Sequence, residues 1–357
     1  MRDFRHSLSW PGAPIALVSA GLFGASTPLA KLLLGQGTNP WLLAGLLYLG
    51  SGIGLALTTL LRRALGLASN EAPLRRADLP WLGAVIVSGG IVGPVLLMFG
   101  LAVTPASSAA LLLNLEGLAT MAIAWLVFRE NTDRRILLGA AAILAGATIL
   151  SWSGGPLHAG WGGLLIAGAC LAWGIDNNLT RKLSGADPVQ IAAAKGVVAG
   201  TVNLALALLA GAAVPGASQI AGAAAIGFLG YGVSLVLFVL ALRHLGSART
   251  GAYFSTAPFI GALLAIALFH EPITAGLVAA AALMGLGLWL HLAERHAHHH
   301  VHEALTHEHR HSHDAHHQHA HAPNDPAGEP HSHWHTHTPL SHSHPHYPDL
   351  HHQHGHR

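Results

Sequence analysis

The chain is poor in charge, in aromatic side chains and above all in cysteine. Of its 357 residues only 10% are charged and 6% are aromatic, and Cys170 is the one cysteine. A single cysteine excludes an intramolecular disulfide and a metal centre built from several thiolates. The charged start, MRDFRHSLSWPGAP, also lacks the pattern of a cleaved secretory signal.

What the chain has in abundance is long apolar stretches, which fill the first 294 residues. Ten of them, each of about 20 residues, could cross roughly 30 Å of hydrocarbon as a helix. Their predicted bounds are 13–34, 40–61, 80–102, 105–128, 136–152, 161–180, 188–210, 219–242, 248–269 and 274–293. We therefore expect an all-α polytopic membrane protein of ten transmembrane helices, followed by a histidine-rich tail.

Lysine and arginine are confined to one set of connections between these stretches. Sixteen of the 18 basic residues lie in the termini or in alternate loops, and the other two, Lys31 and Lys195, lie inside predicted spans. Basic loops face the cytoplasm. The distribution predicts a multi-pass protein of a bacterial-type inner (plasma) membrane with both termini in the cytoplasm.

The sequence also contains an internal repeat. LAVTPASSAALLLNLEGLATMAIAWLVFRE (101–130) aligns without a gap on LRHLGSARTGAYFSTAPFIGALLAIALFHE (242–271), and both end in Phe-X-Glu. Two halves of five spans must enter the membrane in opposite senses, which is the inverted-repeat plan of secondary carriers. The expected units are a first repeat over 1–152, a second repeat over 153–294 and a cytoplasmic tail over 295–357.

A known family shares these features. With GLFGASTPLAK (21–31) in the first span and the paired endings FRE and FHEP, residues 13–293 resemble the EamA-type members of the drug/metabolite transporter superfamily. The resemblance implies a carrier rather than an enzyme, an inverted-repeat bundle and alternating access for small solutes. The proline familiar in the fourth span is Gly117 here, whereas Pro258 keeps it in the ninth.

Ionisable residues inside spans are costly and usually face a cavity or a partner. Glu116 is the most central acid in the chain and follows Asn114 in the fourth span. It is a candidate for proton, cation or substrate handling, or a structural acid paired across the bundle. Lys195 in the seventh span is its expected counter-charge, or a contact for an anionic substrate.

A second polar group lies near the cytoplasmic end of the sixth span. Asp176 and Asn177 belong to the run WGIDNN, which suggests one wall of a pathway or an interfacial cap. The glycine-rich runs SGGIVGP (88–94) and GYG (230–232), with Tyr231, occupy nearly equivalent positions of the two halves. Interrupted spans at equivalent positions indicate a transporter site, although small residues also serve close helix packing.

Three further charged residues favour structural roles. Lys31 lies near the outer end of the first span, where its side chain can reach the headgroups. Glu130 and Glu271 are equivalent in the repeat but lie on opposite faces of the membrane. We expect both acids to close helix ends or to form salt links with neighbouring loops.

The tail holds 24 of the 29 histidines, mostly spaced as H-x-H. Neutral imidazole suits Zn, Ni, Co and Cu, and the polar composition between the histidines predicts disorder without metal. The tail could also sense pH or have no specific ligand. The candidate metal ligands are His307, His309, His311, His313, His316, His317, His319, His321, His331, His333, His335, His337, His342, His344 and His346.

These features leave three functions open. The first is a secondary carrier for a small metabolite, whose tail binds a divalent transition metal. The second is a carrier of that metal (Ni, Co or Zn), which as an exporter would be fed or regulated by the tail. The third is a membrane-anchored metal buffer or sensor. We expect no required cofactor. The expected partners are the bilayer, a small solute and metal ions, but no nucleic acid. The sequence leaves open whether the protein forms a homodimer. The chain has no nucleotide-binding loop, so ATP-driven transport by it alone is not expected.

Overall fold

We obtained the fold from a computed structural model of the chain. The described residues are 12–67, 73–128, 134–151, 160–183 and 186–292, with four tail segments at 297–302, 305–311, 331–337 and 340–345.

Helices dominate the part of the chain before the tail. Those of the first half are α1 Gly12–Gly35, α2 Pro40–Ala64, α3 Leu79–Val85, α4 Gly93–Val103, α5 Ala106–Leu112, α6 Leu115–Phe128 and α7 Arg134–Ser151. Those of the second half are α8 Trp161–Thr180, α9 Pro188–Leu209, α10 Ala217–Ile226, α11 Ser234–Phe254, α12 Ala257–Phe269 and α13 Ala275–Leu292. Asn39 and Asp187 cap α2 and α9, and each accepts a hydrogen bond from a first-turn amide through its side chain.

Seven helical stretches in the described part of the chain are long and apolar enough to cross a membrane. They are Gly12–Gly35, Pro40–Ala64, Arg76–Val103, Ala106–Val127, Arg134–Ser151, Pro188–Leu209 and Ala217–Ala241. The other three predicted spans are helical as well, but Ala257–Phe269 and Ala275–His291 are shorter. The third, α8, has 20 residues and ends in the polar run that begins at Asp176. The structure thus supports seven of the ten predicted spans by length and composition.

Spans three and eight are both interrupted by π-helix. The π segments Ile86–Val92 and Gly227–Val233 have seven residues each and begin 141 residues apart, which is the offset of the sequence repeat. They contain the run GYG and the first five residues of SGGIVGP, the two glycine-rich runs expected to loosen these spans. A π turn spaces its hydrogen bonds one residue wider than an α turn, and such turns are frequent at functional sites.

Spans four and nine are broken at equivalent positions too. α5 ends at Leu112 and α6 begins at Leu115, whereas α11 ends at Phe254 and α12 begins at Ala257. The sequence predicted loosening at Gly117 and Pro258, and each break lies just before those residues. Both halves therefore contain one π-interrupted span followed by one broken span.

The connection between spans eight and nine lies within the residues of α11. The rings of Phe238 and Phe254 lie 4.8 Å apart, although sixteen residues of straight α-helix would separate them by about 24 Å. The chain therefore doubles back between them, where the sequence predicted a connection. In the first half the matching turn interrupts the helix, because Pro105 lacks an amide hydrogen and Thr104 before it is extended.

Glycines allow α2 and α9 to pack with their backbones in contact. A Cβ added to Gly196 would lie 2.6 Å from the Cα of Gly52, and one added to Gly200 would lie 2.5 Å from the amide nitrogen of Leu49. Small residues at a helix interface are how membrane helices approach closely. This contact joins the first half to the second.

Parts of the tail, for which the composition predicted disorder without metal, are described as strands. Four strands are described: β1 Ala297–His302, β2 Leu305–His311, β3 His331–His337 and β4 Leu340–Pro345. β1 pairs with β4 and β2 with β3, both antiparallel. The physical reason lies in the H-x-H spacing, because alternation with a period of two is also the pattern of a β-strand.

A glycine-to-alanine pair tests the α2–α9 contact. Gly196→Ala should lower the thermal unfolding midpoint in detergent by several degrees, since overpacking costs about 1–3 kcal/mol. Gly21→Ala is the control, because a Cβ there meets nothing within 4 Å and alanine favours the helix. Equal midpoints for the two variants would contradict the close contact.

Candidate functional site

The centre of the candidate site is an ion pair between two spans. Lys195 of α9 donates to the carboxylate of Asp176 on α8, and the side chains are 17% and 7% exposed. Thr180 donates a further hydrogen bond of 3.2 Å to the same carboxylate. Removing two charges from water is unfavourable unless they are paired and hydrogen-bonded. Here the pairing meets that requirement.

Glu116 lies beside this pair, in the first turn of α6. Asn177, next to Asp176 on α8, donates to the Oε1 atom of Glu116 over 3.0 Å and to the hydroxyl of Thr120 over 3.2 Å. Asn177 is exposed, and a Cβ added at Gly117 would meet nothing within 4 Å. Space is therefore open beside Glu116, whereas Asp176 is enclosed.

The π segment of span three packs directly against the ion pair. A Cβ at Gly89 would collide with the carboxylate of Asp176, so only glycine allows this approach. The carbonyl of Gly89 accepts from the hydroxyl of Tyr48 at 2.7 Å and from Nε1 of Trp173 at 3.0 Å. The Gly90 carbonyl accepts from Asn203 at 3.2 Å. Side chains from α2, α8 and α9 thus occupy carbonyls of the irregular turn.

A series of aromatic side chains extends from this π segment toward the second half. The ring of Tyr48 lies 5.7 Å from that of Tyr231 in the second π segment, and Tyr231 lies 5.9 Å from Phe23 of α1. Ser26 of α1 packs against Gly230 of the same segment. The two π segments therefore approach one cluster from opposite halves.

The structure brings together most of the residues predicted from the sequence, with two differences. Glu116, Asn177, Asp176 and Lys195 form one polar cluster, and Tyr231 reaches it through Tyr48. The expected counter-charge of Glu116 was Lys195, but the ion pair of Lys195 is with Asp176. Asn114 lies apart, at the break in span four, where its side chain donates to the carbonyl of Leu111 over 2.8 Å.

Four contributors escaped the sequence analysis: Tyr48, Thr120, Thr180 and Asn203. Apart from Thr180, each is one polar residue in an apolar helix, a signal that points equally to function and to local bonding. A distinguishing signal for Thr120 is its position four residues after Glu116, because residues four apart share a helix face.

No group of three or more His, Cys, Asp or Glu among the described residues is placed so that it could hold a metal ion. Of the predicted metal ligands, His313, His316, His317, His319, His321 and His346 lie outside the described residues. The others lie on β2, β3 and β4. Metal binding by the tail stays a prediction.

Comparison with known proteins agrees with the two-part helical body. A model described as "EamA-like transporter family" matches residues 10–152 and 160–293. The chain is 29% identical over 276 residues to a protein of Methanothermobacter thermautotrophicus named "Uncharacterized transporter", a match that covers 73% of this chain and 80% of that protein. One protein of known crystal structure, 20% identical, superposes with a TM-score of 0.57 over 78% of this chain and 95% of its own, which shows a shared fold.

Neutralising the ion pair one residue at a time tests its energetics. Asp176→Asn and Lys195→Gln should each destabilise the protein by about 3–5 kcal/mol, because each leaves a buried charge without a partner. The double variant should be more stable than the sum of the single losses predicts, which thermal unfolding in detergent can measure. Strict additivity would mean that the two side chains do not interact.

Proposed function

Because the chain belongs to the EamA-like transporter family, we propose that it is a secondary-active carrier that moves a small metabolite by alternating access. The observation that carries the proposal is the Asp176–Lys195 ion pair seated on the π segment of span three. Charged residues at membrane depth mark substrate and ion pathways, and irregular backbone at that depth lies beside protein or a water-filled cavity.

The ion pair offers a substrate both a cation and an anion. A solute with a charged group of either sign could compete for Asp176 or for Lys195. Local bonds would hold the residue that loses its partner, as the hydrogen bond from Thr180 holds Asp176. Helix breaks and π segments at equivalent positions of the two halves support the inverted-repeat arrangement that alternating access uses.

Glu116 is the proposed coupling residue. It lies beside open space, and in the structure its carboxylate has a neutral hydrogen-bond donor, Asn177. A carboxylate paired with a neutral amide can gain and lose a proton without leaving a cation unpaired. Asp176, whose partner is Lys195, is less suited to that role.

Transport in proteoliposomes tests the coupling. Single amino acids, organic acids and sugars would be supplied as probes, with a pH-sensitive dye reporting proton movement inside the vesicles. For a probe that the native protein moves together with protons, Glu116→Gln should abolish proton movement while leaving exchange of the probe across the membrane.

The matched control is Asp78→Asn, which neutralises a carboxylate whose described hydrogen bond is to the nearby amide of Arg75 over 2.8 Å. That variant should couple like the native protein. Full proton coupling in Glu116→Gln would remove Glu116 from the mechanism. A body that moves no solute under any gradient would favour the metal buffer or sensor instead.

A second proposed function belongs to the tail, which we propose binds a divalent transition metal. The strand register supports it, because it places histidines opposite one another at alternate positions. The pairs are His298 with His344, His300 with His342, His307 with His335, His309 with His333, and His311 with His331. Directly opposed residues on antiparallel strands lie about 5 Å apart, and histidine is a preferred ligand type for Zn, Ni, Co and Cu.

Metal titration of the purified protein tests the tail. Deleting residues 296–357 should remove most bound Zn or Ni, as measured by calorimetry. Asparagine at His307, His309, His333 and His335 should reduce binding more than asparagine at His351, His352, His354 and His356, since the first set is paired across strands and the second lies outside the described residues. Equal binding by the native and the truncated protein would refute metal binding by the tail.

The same deletion in cells separates regulation or export from storage. If the carrier exports metal fed by the tail, a strain that expresses the truncated protein should accumulate more Ni, Co, Zn or Cu than one that expresses the full chain. Unchanged metal content and tolerance would exclude that exporter.

A further inference from the structure

Two charged side chains from opposite halves hold the corner between spans three and four. At the end of α4, the ammonium group of Lys31 donates to the carbonyls of Leu101, Ala102 and Thr104 at 2.5, 3.0 and 3.0 Å. These carbonyls end a helix and have no partner within it. A cation there also lies favourably with respect to the helix dipole.

Glu271 holds the other side of the same corner, at the start of α5. Its carboxylate accepts from the amide of Ala106 at 2.7 Å, from the amide of Ser107 at 3.0 Å and from the Ser107 hydroxyl. The sequence predicted that Glu271 either closes a helix end or forms a salt link with a neighbouring loop, and these bonds are of the first kind. Its repeat equivalent, Glu130, lies outside the described residues.

The two side chains come from different halves of the chain. Lys31 belongs to α1 of the first half, whereas Glu271 directly follows α12 of the second half, where the left-handed conformation of His270 (φ 52°) ends that helix. The turn that both side chains bind lies in the first half, so relative movement of the halves at this end must stretch or break the bonds to Glu271.

We propose that Lys31 and Glu271 form a latch that closes the extracytoplasmic end of the transport pathway. This inference rests on the proposed carrier function and adds the residues that must release before the pathway opens outward. The latch consists of the bonds from Lys31 to the end of α4 and from the start of α5 to Glu271. Both ends of one turn are thereby fixed, so that spans three and four cannot separate from α1 and α12.

A cavity adjoins the latch on the face predicted to be extracytoplasmic. Its volume is about 510 Å³, and its lining includes Lys31 and Ala102 of the latch, together with Thr38 and Ala212 from two connections. The Thr38 hydroxyl is buried and has no hydrogen-bond partner among the described residues, so a polar guest could satisfy it. The cavity is placed to receive solute when the latch opens.

Cysteine accessibility tests the latch without any knowledge of the substrate. The reporter is Ser26→Cys in a Cys170→Ala background, because Ser26 is 2% exposed and lies five residues before Lys31 on α1, toward the polar cluster. A membrane-impermeant maleimide is added outside intact cells, and the rate of labelling is measured.

Glu271→Gln and Lys31→Gln should each raise the labelling rate about fivefold or more, the effect expected when one helix-cap interaction is lost. Lys31→Arg keeps the cation and should label like the parent. The matched control is Asp187→Asn, which neutralises a cap carboxylate at the start of α9, on the face predicted to be cytoplasmic. It should not raise the labelling rate.

Unchanged labelling in both neutralised variants would overturn the latch. An equal rise in Asp187→Asn would overturn it too, since that result indicates general loosening. Labelling is read before any transport assay, so a protein that moves no tested solute can still confirm the latch. Membrane abundance, measured by immunoblot, identifies a variant that fails to fold. In that case the labelling rate of the other neutralised variant tests the latch.

Discussion

The backbone's need for hydrogen bonds inside hydrocarbon governs the irregular parts of this molecule. Water is absent there, so each carbonyl released by a π turn or a helix end requires another partner. At Gly89 the partners are Tyr48 and Trp173, and at the end of α4 the partner is Lys31. These irregular places are therefore each tied to at least one other helix.

This constraint also explains where the charges lie. The Asp176 carboxylate can approach the backbone of span three only because residue 89 is glycine, and Lys195 then neutralises it. The second half has the same π segment and the same helix break but no equivalent acid, because Ala257 stands where the repeat aligns with Glu116. The two halves are similar in backbone and different in chemistry.

The sequence predicted the helical body well because hydrophobic length and the placement of arginine are properties of single segments. It also located both interrupted spans, since runs of glycine have local consequences for a helix. It could not pair Lys195 with Asp176, because that pairing depends on how α8 and α9 pack together. Tyr48 was invisible for the same reason: its partner, the carbonyl of Gly89, exists as a free acceptor only after span three has adopted its π turn. In the tail, the H-x-H spacing fitted both an extended metal ligand and a strand, and composition favoured disorder.

The paired π segments change how the faces of spans three and eight must be counted. Each wide turn advances the chain by one residue more than an α turn, which displaces the following side chains by about 100° around the axis. A single helical wheel drawn through Ile86–Val92 or Gly227–Val233 would therefore place some lipid-facing residues on the interior side of the helix. It would also place some interior residues on the lipid-facing side. Scanning mutagenesis of these spans needs two wheels for each helix, one on either side of the insertion.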